Sequence, residues 1–184
     1  MPCGCGKKNG TVHFMGPEKN NTADPLEWGP ILWKYLHCTA EKIGLSGNIV
    51  MDTDQANYLE TLLSTLHLIL PCTECQEHAA NYISSNPVPT LKGLQGETLR
   101  STVRTWLFNF HNSVRNRKGQ GIMIANVNDC ISHYSGCFLP KCEYTLFIQS
   151  VAFAVRQGWV RVDNWKKWYS NSERLRLIIG NIVV

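Results

Sequence analysis

No hydrophobic run in this chain is long enough to cross a bilayer. The most apolar segment, YTLFIQSVAFAV at residues 144–155, has 12 residues, where a spanning helix needs about 20. A buried helix of a soluble protein is the expectation there. Also missing is any run of alternating β-branched residues long enough to build a sheet, which leaves helix as the working element. The opening MPCGCGKKNGTVHF has no apolar stretch behind its lysines, so no secretory leader is legible. Charge is sparse, with 18 basic and 14 acidic residues for a net +4. The basic residues are spread among Arg100, Arg104, Arg115, Arg117, Lys118, Lys141, Arg161 and Lys166. Such scatter gives no long basic footprint, so no nucleic-acid partner is expected; a nucleic-acid-binding bundle using Arg100, Arg104, Arg115, Arg117 and Lys118 stands third among the readings, because the same residues more simply make a solvated helix face. No internal repeat is visible.

What the chain does have is apolar bulk and sulfur. A hydrophobic fraction of 43%, with six each of Trp, Tyr and Phe in 184 residues, suits one packed domain with a modest appendage. A core of that size folds without staples, yet there are eight cysteines: Cys3, Cys5, Cys38, Cys72, Cys75, Cys130, Cys137 and Cys142. With no leader to suggest a secreted disulfide framework, the pattern favours cysteines used for catalysis or metal binding.

Periodicity divides the chain into three parts. Residues 1–24 are glycine-rich and aperiodic, a flexible tail. The segment 25–120 reads as four helices. The first is capped by Asp24 and ended by Gly44, with Trp33, Leu36, His37, Ala40 and Ile43 on one face. The second starts at Asp52 or Asp54 and buries Leu59, Leu62, Leu63, Leu66 and Leu70. A short third helix follows Pro71 and stops before Pro87, and a long fourth places Leu99, Val103, Trp106, Phe110 and Val114 in register before Gly119. Residues 121–184 form an extension packed on this core, turn-rich through NVNDCISHYSGCFLPKC and then helical near 143–157 and 163–179. The fold class is all-α: a four-helix bundle with additional short C-terminal helices.

The stretch LPCTEC holds the most informative chemistry. A Cys-x-x-Cys at a helix start sets its first thiol near unpaired N–H groups, which favours thiolate, and lets the sulfurs bond across one turn. Cys72 then becomes the exposed exchanging thiol and Cys75 its inner partner. A plain structural disulfide and half of a zinc site, completed by Cys137 and Cys142 or by His78 and His111, are the competing readings. Net oxidation by one such pair needs an electron acceptor, and a flavin is the usual organic one. Trp33 and His37 share a helix face, as do His111 and Arg115, with Asn112 and Asn116 on the neighbouring stripe. Such residues can stack on a ring system and bond its heteroatoms, or can simply be core.

Three stretches, WGPILWKYLH (28–37), PCTECQEHAANYI (71–83) and WLFNFHNSVRN (106–116), together resemble the Erv/ALR family of FAD-linked sulfhydryl oxidases, in particular its compact forms from large DNA viruses. The resemblance covers roughly residues 26–118. It implies a helical bundle holding FAD beside a redox-active disulfide, with Cys75 next to the flavin and Cys72 exchanging with a second dithiol. Gly29, Trp33, His37, His78, His111, Asn112, Val114, Asn116 and Lys118 would form the cofactor site. It also implies client protein dithiols or a thioredoxin-like intermediary as partners, oxygen as final acceptor, hydrogen peroxide as product and a homodimer as assembly. A shuttle disulfide is common in such proteins; Cys3 with Cys5 is favoured over Cys137 with Cys142. The family pattern has cysteine where Phe108 stands, paired with a later one for which Cys130 is placed, so that staple is absent or rebuilt here. It also has Asn where Arg115 stands. The compartment stays open, host cytoplasm or virion for a viral chain. The alternative from another class is a zinc-stabilised helical interaction module.

Overall fold

A computed structural model describes residues 24–180 together with 182 and 183. Seven helices follow in order: α1 Pro25–Lys42, α2 Ile49–Ser64, α3 Thr73–Ser85, α4 Gly96–Arg117, α5 Asp129–Tyr134, α6 Lys141–Arg156 and α7 Val162–Ile179. A single 3-10 turn, Leu66–Leu68, continues from α2, and two-residue strands β1 Leu139–Pro140 and β2 Ile182–Val183 pair in parallel. The Cys3 and Cys5 pair lies outside the described residues.

Local chemistry sets the helix ends. The Asp24 carboxylate accepts from the Leu26 amide at 2.8 Å, with Pro25 at the first helical position, where a missing N–H costs nothing. α2 begins earlier than its acidic residues suggest. Asn48 is the cap, accepting from the Val50 and Met51 amides at 2.9 and 3.3 Å, so Asp52 and Asp54 fall inside the helix. Asp52 is instead buried and accepts from the Ser46 hydroxyl. The turn between α1 and α2 depends on Gly44 at φ +68°, where an added Cβ would stand 2.8 Å from the Gly96 carbonyl oxygen. No other residue fits there without moving backbone.

One apolar core joins the bundle to the extension. Leu36 of α1 and Ile43 just beyond its end, Leu59 and Leu62 of α2, Leu99 and Leu107 of α4, Phe147 and Val151 of α6 and Trp168 of α7 belong to the same buried cluster. Each such side chain, when fully buried, contributes about 1.5–3 kcal/mol. Polar groups inside it are matched. The Trp168 indole N–H donates to the Leu62 carbonyl at 3.1 Å, and Ser172 Oγ meets the hydroxyls of Tyr35 and Tyr144 at 2.8 and 2.6 Å. Glu41 of α1 and Arg104 of α4 form a buried two-pronged ion pair, Nε to Oε1 at 2.6 Å and Nη2 to Oε2 at 2.7 Å. Arg104 also donates to Glu97 at 3.0 Å. The Trp106 and Phe110 stripe, compatible from sequence with a dimer face, is core: both rings are buried and pack with Tyr82.

A covalent staple is present, rebuilt from different cysteines. Cys38 of α1 is bonded to Cys137 beyond α5 across 99 residues. Cys130, Tyr134 and Cys137 recur at four and three positions, so α5 and the turn after it present them on one face toward α1. The Cys137 with Cys142 shuttle reading is thereby corrected: the Cys137 sulfur is committed to Cys38, while Cys142 is a free, exposed thiol in the first turn of α6. Cys130 stays free and buried beside the staple, and burial, with the Glu41 charge adding, pushes its thiol up to about 11.

Candidate redox site

Pro71 is buried at the end of the segment leading from α2, and Cys72 follows it as the cap of α3. The Cys72 Sγ accepts from the Cys75 amide at 3.2 Å, so sulfur occupies the place an oxygen takes in an ordinary cap. Cys72 and Cys75 are bonded to each other, Cα to Cα 5.1 Å, and both are half-buried. The Cys75 N–H and the positive end of the α3 helix both favour negative charge on the Cys72 sulfur. Arg117 at the end of α4 pairs with Glu74, tying that first turn to α4.

Cys75 opens onto a cavity. A small hollow of about 60 Å³ is lined by Cys75, His78, Leu70, Phe110 and Arg117, together with Gly29, Trp33, Val114 and Lys118. The last four residues also line a larger cavity of about 460 Å³, which continues to His111, Arg115, Tyr134 and Cys137. That volume is within the range of small-molecule and cofactor sites. The wall comes from α1 and α4 because His111, Val114 and Lys118 recur at three and four positions on α4, facing Gly29 and Trp33 of α1. A Cβ added to Gly29 would meet no protein atom within 4 Å, so the helix surface there is open. Pro30 beside it has no N–H to give the Leu26 carbonyl, which leaves the first turns of α1 with a helical bond fewer.

Rings form the floor. Trp33 stacks on His111, centroids 4.1 Å apart and planes 7° from parallel, and His37 stacks on Tyr134 at 4.5 Å and 5°. The two pairs are joined by a His37 Nε2 to His111 Nδ1 hydrogen bond of 3.1 Å. One ring must carry the proton and the other a bare nitrogen. Burial, then the neighbouring His111 and His133, drives the His37 pKa down to about 3. Burial and then Arg115 bring His111 down to about 4. Both are neutral at pH 7, which is the state the shared hydrogen bond requires. His78 is lowered by its partial burial and by Arg117, with Glu74 opposing.

The sequence-derived residues separate accordingly. Gly29, Trp33, His78, His111, Val114 and Lys118 line one or both cavities. His37 sits behind the wall, 2% exposed, and holds His111 and Tyr134 rather than the cavity. Asn112 lies in a crevice of about 10 Å³ with Phe108 and Cys130, and Asn116 is exposed and lines neither cavity. Each asparagine is one or two positions off the inward stripe of α4, a rotation of 100° or more. Tyr134 and Lys34 were missed as lining residues, while Arg115, named beside His111 from sequence, does line the larger cavity. The signal for Tyr134 was an aromatic set between two cysteines, CISHYSGC, within a segment read only as turns. The zinc tetrad does not assemble, because Cys72 and Cys75 bond each other and Cys137 bonds Cys38. Among the described residues no group of three or more His, Cys, Asp or Glu is placed to hold a metal ion. No helix among them is long and apolar enough to cross a membrane.

The Erv1 / Alr family model matches residues 30–133, over half of the chain. An FAD-linked sulfhydryl oxidase of African swine fever virus (isolate Warthog/Namibia/Wart80/1980) is 32% identical over 124 residues, covering 65% of this chain and 89% of the relative. Its counterpart from isolate Pig/Kenya/KEN-50/1950 shows the same identity and coverage. That of isolate Tick/Malawi/Lil 20-1/1983 is 31% identical over 103 residues, 53% of this chain and 73% of its own length. No solved structure matches the chain.

Proposed function

The chain belongs to the Erv1 / Alr family, it is an FAD-linked thiol oxidase, and we propose which of its residues carry the reaction. Cys72 is the exchanging sulfur and Cys75 the inner one. The observation that carries this reading is the position of Cys75, bonded to Cys72 at a helix N-terminus and lining a hollow that adjoins the large cavity across Gly29, Trp33, Val114 and Lys118.

The residues present fit FAD. Gly29 leaves room where a side chain would intrude, the stacked Trp33 and His111 rings offer flat apolar surface, and Lys34, Arg115 and Lys118 bring positive charge to the larger cavity for a pyrophosphate. Trp33, His78, Val114 and Lys118 near Cys75, with His111 and Tyr134 farther along, would hold it. When bound, FAD supplies two-electron acceptor chemistry between the reduced cysteine pair and oxygen, with hydrogen peroxide as the product.

The chain's own part is thiol exchange. A client thiolate attacks Cys72 Sγ, the Cys72 to Cys75 bond breaks, and Cys75 leaves as thiolate at the hollow it lines. The client's second thiolate then attacks its own sulfur in that mixed disulfide. Cys72 departs, the client holds a new disulfide, and the pair holds the two electrons. The inner position of Cys75 directs clients to Cys72 first. Cys3 with Cys5 remains the proposed shuttle, supported by the family resemblance and by the commitment of Cys137 to Cys38. The same resemblance supports a homodimer and a thioredoxin-like intermediary as a client.

A visible spectrum and an oxygen-consumption assay with dithiothreitol test this on wild type and Cys75→Ser. Bound flavin in both and turnover in wild type alone is the expected outcome. Flavin-containing Cys75→Ser that still turns over at the full rate would remove Cys75 from the electron path.

A further inference from the structure

We infer that Gln76 is a positioning residue for the redox pair: its side-chain amide clamps the backbone that carries Cys72 to the C-terminal extension, keeps the two sulfurs aligned to rebond after reduction, and so sets how firmly the pair holds its disulfide. This deepens, and rests on, the reading of Cys72 and Cys75 as the exchanging pair. Cys72 is the cap of α3 rather than a member of it, so the helix itself gives it few bonds. The Gln76 backbone amide donates to the Cys72 carbonyl at 2.9 Å. Its side-chain amide donates to the Leu70 carbonyl at 2.7 Å and to the Trp159 carbonyl at 3.1 Å, which uses both of its hydrogens. One residue thereby grips the chain on either side of Pro71, which has no N–H to anchor itself.

Both far ends of the clamp are fixed. Leu70 is buried in the main core cluster. The Trp159 amide donates to the Ala154 carbonyl at 2.9 Å, Gly158 before it takes φ +76°, and Val160 after it is buried. This turn between α6 and α7 lies beyond the matched residues 30–133, so part of the extension holds the redox helix. The Glu74 to Arg117 pair ties the same first turn to α4, and Gln76 is its counterpart on the Cys72 side. Reduction removes the covalent link alone. With the backbone clamped, the sulfurs keep a high effective concentration for each other, and Cys75 can return on any mixed disulfide at Cys72. With the clamp gone, the cap frays and must be ordered again before the bond re-forms.

The test uses the full-length protein as purified, under nitrogen, equilibrated in glutathione buffers. There the disulfide and two glutathione thiols exchange with the dithiol and one glutathione disulfide. After acid quenching and alkylation, mass spectrometry of the peptide holding Cys72 and Cys75 counts the disulfide, dithiol and mixed-disulfide forms. Gln76→Leu removes the donor without adding charge; Gln76→Glu keeps the shape and, ionised, cannot donate to a carbonyl. Both should make the disulfide about tenfold easier to reduce, as expected for two ordinary hydrogen bonds. Both should also raise the mixed-disulfide fraction. A residue that only supports the fold would lower the melting temperature and leave both readings at the wild-type value. Either variant with an unchanged equilibrium would overturn the inference, since a shift in Gln76→Glu alone follows from its charge and one in Gln76→Leu alone from its shape. A wild type that oxidises no dithiol in the oxygen assay, with the tenfold shift still present in both variants, would sink the oxidase reading and keep this one.

Discussion

Removing the Cys38 to Cys137 bond by the double substitution Cys38→Ala and Cys137→Ala isolates what the rebuilt staple does. The bond closes a loop with a sequence separation of 99, for which the chain-entropy relation gives about 4.7 kcal/mol at 25 °C. For a chain of this size each kcal/mol moves the melting temperature by about 2–4 °C, so a loss of about 10–15 °C is expected. The measurement is thermal and guanidinium unfolding followed by circular dichroism, on flavin-free protein so that ligand binding adds nothing. Cys130→Ala serves as the control for trimming a buried thiol in the same cluster and should cost about 1 kcal/mol. Because Cys137 and Tyr134 both line the larger cavity, the double variant should also retain less flavin after dilution. A double variant that unfolds within about 1 kcal/mol of its parent would refute the claim that this bond organises α5 and the cavity wall.

Two further outcomes follow from buried charge. His37 and His111 have folded pKa values of about 3 and about 4, below the unfolded value, so the unfolded chain takes up protons first as pH falls. Stability is then intact above about pH 6.5 and drops toward pH 4, by up to about 1.4 kcal/mol per pH unit for each ring. Guanidinium midpoints at pH 7.5 and 5 should show the drop, with a smaller one in His37→Asn; an equal drop in both proteins would remove His37 from the account. Arg104→Met leaves Glu41 buried without its partner and should cost about 3–5 kcal/mol in a thermal melt, while adding Glu41→Leu should restore most of it. Equal stability of the single and double variants would mean the pair is not desolvated as the structure has it.

Helix positions were readable because the apolar residues of α1, α2 and α4 repeat at three and four positions, and burial follows that repeat from Leu59 to Leu63 and from Leu99 to Phe110, whereas Leu66 and Leu70, read as the same second helix, are buried beyond its end at Ser64. Ends were less so. Asn48 and Asp52 are both capping types, and the one nearer the previous turn took the role, leaving Asp52 to an inward hydrogen bond with Ser46. The redox pair could be read since its sulfurs are three residues apart and their chemistry is local. The staple could not, because pairing Cys38 with Cys137 depends on how α5 docks against α1, a long-range packing outcome with no local mark. The same limit explains the cofactor wall. His111, Val114 and Lys118 share a stripe that sequence can trace, whereas the turn of α4 that carries Asn112 and Asn116 away becomes visible when its partner helix is in place.

The long cross-link also partitions the chain as an object. Everything from 38 to 137, including α2, the redox helix and α4, sits within one covalent ring, and α6 and α7 hang outside it. A single protease nick inside the ring opens it without freeing either piece. The same nick in the turn between α6 and α7 leaves the distal piece attached by non-covalent contacts alone.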